Sequence, residues 1–205
     1  MKRILAFSLT LLTAVFSFIS CKETEAYDDK ADWENRNRAF MENVVSQYTA
    51  SPANVATAQE GQIFRLLSYK LDPSKDWDPL TSYVYCKVIE RSENTGSPCF
   101  SDSVKINYRV RLMPTDDYPQ GQVIDQSYRT DKLNPEVNIP YPFCISGLIE
   151  GVSTALMYMH TADTWLLYIP YQLGYGTGAK SDIPAYSTLL FEVNLAGFAR
   201  TGASL

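Results

Sequence analysis

The sequence predicts an α+β domain in which five or so antiparallel strands wrap one short helix, preceded by an extra N-terminal helix. Three observations carry this. Ser103 to Leu112 alternates strictly, with Val104, Ile106, Tyr108, Val110 and Leu112 interleaved with Ser, Lys, Asn and Arg. That is the period-two pattern of a strand with one wet face. Leu148, Ile149, Val152, Leu156 and Met159 recur at helical spacing and give one short helix. Tyr is frequent, at 14 residues, and with Phe, Thr and Val it suits strands and aromatic-walled pockets.

The elements follow in chain order. Residues 1–20 read as a secretory signal: Lys2 and Arg3 supply the positive start, and Ile4 to Ile19 is apolar with only Ser and Thr as polar breaks. That run is short for a membrane-spanning helix, which needs roughly 20 apolar residues. It ends in Phe18-Ile-Ser-Cys21, which resembles a bacterial lipobox. The resemblance implies cleavage before Cys21 and acylation of its thiol; an ordinary cleaved signal is the alternative. Several acyl chains on one Cys anchor a protein durably. The expected location is the bacterial cell envelope outside the cytoplasm, on the periplasmic or surface face of the outer membrane. Lys22-Glu23 is similar to the start of surface-display stretches in lipoproteins of Bacteroides-like gut bacteria.

Residues 21–60 are expected to form the lipidated tether and the N-terminal helix. Lys22 to Lys30 is polar and acidic, and Asp32 to Thr49 is amphipathic, with Trp33, Phe40, Met41, Val44, Val45 and Tyr48 on one stripe. Ser51-Pro52 stops the helix. Such a stripe needs a partner, either the domain itself or a second copy. Residues 61–205 then form the domain, with strands expected at Ile63 to Tyr69, Ser82 to Ile89, Ser103 to Leu112, Trp165 to Ile169 and Thr188 to Leu195.

Composition excludes several functions. Of 205 residues 45% are hydrophobic and 20% charged, so the chain can bury a core. With 18 Lys and Arg against 23 Asp and Glu the net charge is −5, and an acidic chain grips a phosphate backbone poorly, so nucleic acid is not an expected partner. The single His, His160, rules out multi-histidine metal sites, and no metal is expected; a surface or capping role suits it. Gly174 to Ser181 falls one residue short of a phosphate-binding loop, and Pro184 prevents the helix such a loop must open. Asp116-Asp117 reads as a solvated turn. Cys86, Cys99 and Cys144 allow at most one intramolecular disulfide. Free thiols are expected, with a Cys86–Cys99 bridge as the alternative.

Three stretches carry a family resemblance. They are Gly147-Leu-Ile-Glu-Gly-Val-Ser-Thr-Ala-Leu-Met-Tyr-Met159, Trp165-Leu-Leu-Tyr-Ile-Pro-Tyr-Gln-Leu-Gly-Tyr-Gly176 and Ile183-Pro-Ala-Tyr-Ser-Thr-Leu-Leu-Phe-Glu-Val-Asn-Leu195. In this order and spacing they resemble the second half of an FKBP-type peptidyl-prolyl cis-trans isomerase. Val104 to Leu112 and Val123-Ile-Asp125 match the first half more loosely, so the resemblance spans about Ser101 to Phe198. It implies a twisted antiparallel sheet curled around a short helix, with an apolar pocket between them. It also implies isomerisation of Xaa-Pro bonds in exported, proline-containing polypeptides, with no cofactor; a catalytically weak peptide-binding or chaperone module is the alternative. Carried over residue by residue, Tyr175, Asp125 and Phe191 take catalytic positions, and Tyr108, Ile124, Tyr141, Leu148, Ile149, Val152 and Ile183 take substrate-binding ones. This sequence departs from the family at three of them. The pocket floor, usually Trp, falls on Val152; the aromatic before the acidic residue is Ile124; and a further wall aromatic aligns with Ile139 or Tyr141. The loop Met113 to Gly121 is also longer than usual.

Overall fold

The strictly alternating segment is the longest-paired strand of the sheet. In a computed structural model, which describes residues 28–135 and 137–203, it forms β3 (Ser103–Leu112). The signal segment, Cys21 and the tether up to residue 27 lie outside the described residues. The other elements are α1 (Trp33–Ala50), β1 (Ile63–Leu67), β2 (Tyr83–Glu90), β4 (Val123–Gln126), β5 (Tyr141–Cys144), α2 (Glu150–Leu156), β6 (Thr164–Ile169) and β7 (Leu189–Ala199). All pairings are antiparallel, in the order β1-β2-β6-β7-β3-β4. β5 shares the outer edge of β3 with β4, pairing at Ser103 to Ile106 while β4 pairs at Arg109 to Arg111.

The sheet thus has seven strands, not five or so. The two extra ones, β4 and β5, are four residues each and carry a bulge and a Pro, too short and irregular to show a period. α2 is shorter than its apolar stripe. Leu148 and Ile149 precede it in extended backbone (Ile149 φ −63°, ψ 149°) and Met159 follows it. The polar face of β3 is not wet throughout: Asn107 and Arg109 are buried. The chain after β4 folds over Arg109. The Arg109 guanidinium donates to the Gln126 side chain (2.9 Å) and to the carbonyls of Asp131 (3.0 Å) and Thr130 (2.5 Å), and lies 4.4 Å from the Tyr128 ring centre. The Asn107 amide donates to Asn194 Oδ1 at 3.3 Å. Burying Arg109 is tolerated because its donors are matched to acceptors, whereas Asn107 Oδ1 is buried with no hydrogen-bond partner among the described residues.

α2 packs on one face of the sheet, where Phe64, Val84, Val88, Leu156, Trp165, Leu167 and Ile169 form the core. Phe64 and Trp165 meet edge-on at 4.9 Å. The helix lies so close to β6 that a Cβ on Gly151 would come within 2.5 Å of Ile169 Cγ2. α1 covers the other face. Met41 and Val44 pack on Tyr85, with Phe40, Tyr48 and Tyr168 around them. Besides the apolar contacts, two side-chain hydrogen bonds pin α1 to the residues just ahead of β7: the Trp33 indole donates to Ser187 Oγ (2.9 Å), and Asn37 Oδ1 accepts the Thr188 amide (2.7 Å). Cys86 is buried, Cys99 and Cys144 are exposed, and all three are free thiols. Among the described residues, no helix is long and apolar enough to cross a membrane.

Candidate functional site

A cavity of about 360 Å³ opens between the start of α2 and the strands β3, β4, β5 and β7. Its walls follow from strand periodicity. Ile106, Tyr108 and Val110 occupy alternate positions on β3, and Leu189 and Phe191 do so on β7, so both sets face the cavity. β4 contributes two consecutive residues because it is bulged: Val123 pairs with Arg111 and Asp125 with Val110, which leaves Ile124 unpaired. A bulge re-aims side chains in this way, and here both Ile124 and Asp125 line the cavity. A short 3-10 turn ahead of α2 supplies Gly147, the extended residues that follow supply Leu148 and Ile149, and the helix supplies Val152, which is fully buried at the base. The segment between β6 and β7 adds Tyr175 and the run from Lys180 to Ile183.

The polar groups sit at the rim. The Tyr108 hydroxyl donates to Asp125 Oδ2 at 3.0 Å, and Asp125 Oδ1 accepts the Gln126 amide at 2.8 Å. The Tyr108 ring stacks on Phe191 (5.6 Å between centres, 21° between planes) and meets Phe143 edge-on at 5.8 Å. Burial, and then the Asp125 charge, push the Tyr108 phenol up to about 12, so it stays a protonated donor. Tyr175 is half-buried, and burial followed by the Asp125 charge raises its phenol too. Among the described residues the Tyr175 hydroxyl makes no hydrogen bond, which leaves a positioned donor for a ligand. No described group of three His, Cys, Asp or Glu side chains could hold a metal ion.

The structure therefore brings Tyr175, Asp125, Phe191, Tyr108, Ile124, Leu148, Ile149, Val152 and Ile183 to one cavity. Tyr141 is not in its lining. It shares a sheet face with Phe143 on β5, pairs with Ile106 and is 54% exposed, and Ile139 is 79% exposed. Phe143 is the wall aromatic on this edge. The Tyr-Pro-Phe alternation puts Tyr141 and Phe143 on one face, and only the cavity lining, which includes Phe143, shows which of the two reaches it. Lys180, Ser181 and Asp182 were also missed, since loop residues carry no periodic signal. The Gly174 to Ser181 run opens no helix; it ends in a tight turn in which Lys180 bridges Ile183. His160 caps a turn through its backbone amide, which donates to the buried Asp163 carboxylate (2.8 Å).

The sequence pattern of the family described as FKBP-type peptidyl-prolyl cis-trans isomerase matches residues 96–196. The macrophage infectivity potentiator of Trypanosoma cruzi is 32% identical over 135 residues, 65% of this chain and 62% of its own length. The FKBP-type 22 kDa peptidyl-prolyl cis-trans isomerase of Escherichia coli is 34% identical over 110 residues, 53% of this chain and 47% of its own. The chain thus spans about half to three-fifths of the lengths of these two relatives. Among solved structures, a peptidyl-prolyl cis-trans isomerase from Pseudomonas syringae superposes with a TM-score of 0.54 at 20% identity, covering 85% of this chain and 98% of that one. FkpA from Escherichia coli superposes with a TM-score of 0.53 at 22% identity, covering 82% of this chain and 62% of that one. These two likenesses are of fold.

Proposed function

We propose that this protein, whose residues 96–196 match the FKBP-type peptidyl-prolyl cis-trans isomerase family, rotates Xaa-Pro bonds in proline-containing polypeptides. The observation that carries the reading is the cavity itself: an apolar base and walls with one uncommitted phenol donor and a carboxylate at the rim. Rotation faces a barrier of about 18–20 kcal/mol because resonance stiffens the C–N bond. No covalent bond is made or broken, so catalysis is a matter of environment. A pocket that excludes water disfavours the charge-separated resonance form, and walls shaped to the twisted amide favour the transition state over either planar isomer.

In this scheme Val152, Phe191 and Ile183 hold the prolyl ring, with Leu148, Ile149 and Ile124 completing the apolar surround. Tyr175 donates its hydroxyl to a substrate carbonyl. Asp125 polarises the rim and orients Tyr108 through the 3.0 Å hydrogen bond. One observation favours a second reading, a peptide-binding or chaperone module with weak turnover: Val152 offers the ring a small side chain where the family resemblance implies a broad indole. A protease-coupled assay on Xaa-Pro peptides decides. Turnover by the wild type supports the enzyme; suppression of client aggregation without turnover supports the module.

We further propose that Cys21 is acylated and tethers the domain to the cell envelope outside the cytoplasm, where exported proteins would be its clients. Phe18-Ile-Ser-Cys21 after an apolar run supports this. Labelling with a fatty acid should tag the wild type and not Cys21→Ala; an untagged, soluble wild type would reject the anchor.

A further inference from the structure

We propose that Lys180 sets a substrate preference in this cavity, favouring peptides in which an acidic side chain adjoins the proline. The inference rests on the isomerase reading and concerns the same site. Among the described residues, Lys180 is the one cationic side chain in the lining. Its Nζ stands 4.3 Å from the centre of the Tyr175 ring, within the range of a cation–π contact. That places an ammonium on the residue whose hydroxyl is the free donor of the site.

The placement is built, not incidental. Lys180 and Ile183 exchange two backbone hydrogen bonds of 2.9 Å each, and Ser181 closes the turn between them in left-handed backbone (φ 52°). The root of the lysine is thereby held opposite Ile183, itself a wall of the cavity. The charge is also uncommitted. The ion pairs among the described residues are Arg38–Glu42, Lys70–Glu150, Arg111–Glu192 and Arg200–Asp102, and none involves Lys180. Two carboxylates share the lining. Asp125 is occupied by the Tyr108 hydroxyl and the Gln126 amide, and Asp182 is exposed at the tip of the turn. A carboxylate on the peptide, entering beside the prolyl ring, meets Lys180 over the Tyr175 ring. The chain as a whole is acidic, at −5, so attraction of such a peptide must come from this local cation.

The test is a peptide panel with Glu, Leu or Lys before the proline, and a second series with the same residues after it. It is read on the full chain and on Lys180→Met, Lys180→Arg and Lys180→Glu. The readout is the Glu-to-Leu ratio of kcat/KM within each variant, which a general loss of activity leaves untouched. In one series the ratio should fall about two- to fivefold in Lys180→Met, the size of an exposed ion pair. It should recover in Lys180→Arg and give way to a preference for Lys in Lys180→Glu. For the wild type it should decline towards the Lys180→Met value in molar salt, which screens exposed charges. An unchanged ratio in Lys180→Met in both series overturns the inference even if turnover is high. If the wild type turns over none of the peptides, the isomerase reading fails, and the same ratio taken from equilibrium binding decides the role of Lys180.

Discussion

Tyr175 and Asp125 differ in what they have left to offer a substrate, and this orders the expected effects of changing them. The Tyr175 hydroxyl is unspent, so Tyr175→Phe keeps the ring and deletes one hydrogen bond of about 0.5–1.5 kcal/mol. Since about 1.4 kcal/mol is tenfold in rate, kcat/KM should fall roughly two- to tenfold. Asp125→Ala removes a charge and also frees Tyr108, so its loss should be at least as large. Full isomerase activity in both folded variants would mean the reaction happens elsewhere. Phe191→Ala must be read beside a melting curve, because truncating a buried aromatic that stacks on Tyr108 costs about 3–5 kcal/mol of stability. The phenols make a separate prediction. Tyr108 holds its proton more tightly folded than unfolded, with a folded value of about 12 against an ordinary 10.0. The resulting stabilisation is complete below pH 10 and is lost as pH climbs towards 12. Burial pushes Tyr128, Tyr85 and Tyr168 up as well. Melting temperature should therefore decline over that alkaline range, and Tyr108→Phe should flatten the decline in part; an identical slope would contradict the coupling.

Among the elements, α2 shows how little space separates a helix from its sheet. Gly151→Ala puts a methyl against Ile169, and overpacking of this kind costs about 1–3 kcal/mol, although Ala is the better helix former. A chemical-denaturation midpoint at or above that of the wild type would refute the fit. On α1, Asn37→Ala should cost about 1–3 kcal/mol by leaving the buried Thr188 amide unpaired. Asn37 was illegible in the sequence, since a polar residue on an apolar stripe reads as an interruption until its partner is known. What could be read was what repeats: the ten residues of β3 are bounded as their alternation implies, and the stripe beginning at Trp33 marks α1 to within a residue. β4 and β5 were hidden because four residues hold too few periods, and a bulge breaks the phase of one of them. The same bulge explains why Ile124 and Asp125, neighbours that a regular strand would send to opposite faces, reach one cavity. That pairing came from the family resemblance, which carries geometry that periodicity cannot. Lys180 was missed by both routes, because the turn that holds it has no period and is not among the positions the resemblance carries over.

At the scale of the whole molecule, the N-terminal helix and the cavity are not separate territories. Trp33 belongs to the same buried core as Phe191 and Val152, and its indole holds Ser187, eight residues or fewer from Ile183, Lys180 and Phe191. Trp33→Ala should therefore lower the melting temperature sharply, since truncating a buried Trp costs about 3–5 kcal/mol. It should also weaken binding of a proline peptide; a variant that melts early yet binds at full strength would show that α1 supports the fold without supporting the site. The far end of the sheet is closed by a different tie. Arg200 donates to the buried Asp102 at 2.6 Å, and the Cys99 amide, ahead of Arg200, holds that carboxyl below its usual range. This bond is present above the ordinary carboxylate range and is lost as pH falls through the depressed value. The two pins on α1 also fix the direction in which the molecule can be loaded. If the chain ahead of Asp32 leads to an anchor, a client dragged through the cavity pulls against that anchor along a line running from β7 through Ser187 and Thr188 to Trp33 and Asn37. The strain arrives first at an indole N–H and a single carboxamide, both shielded from water, so the mooring would yield there before the strands beneath it begin to unzip.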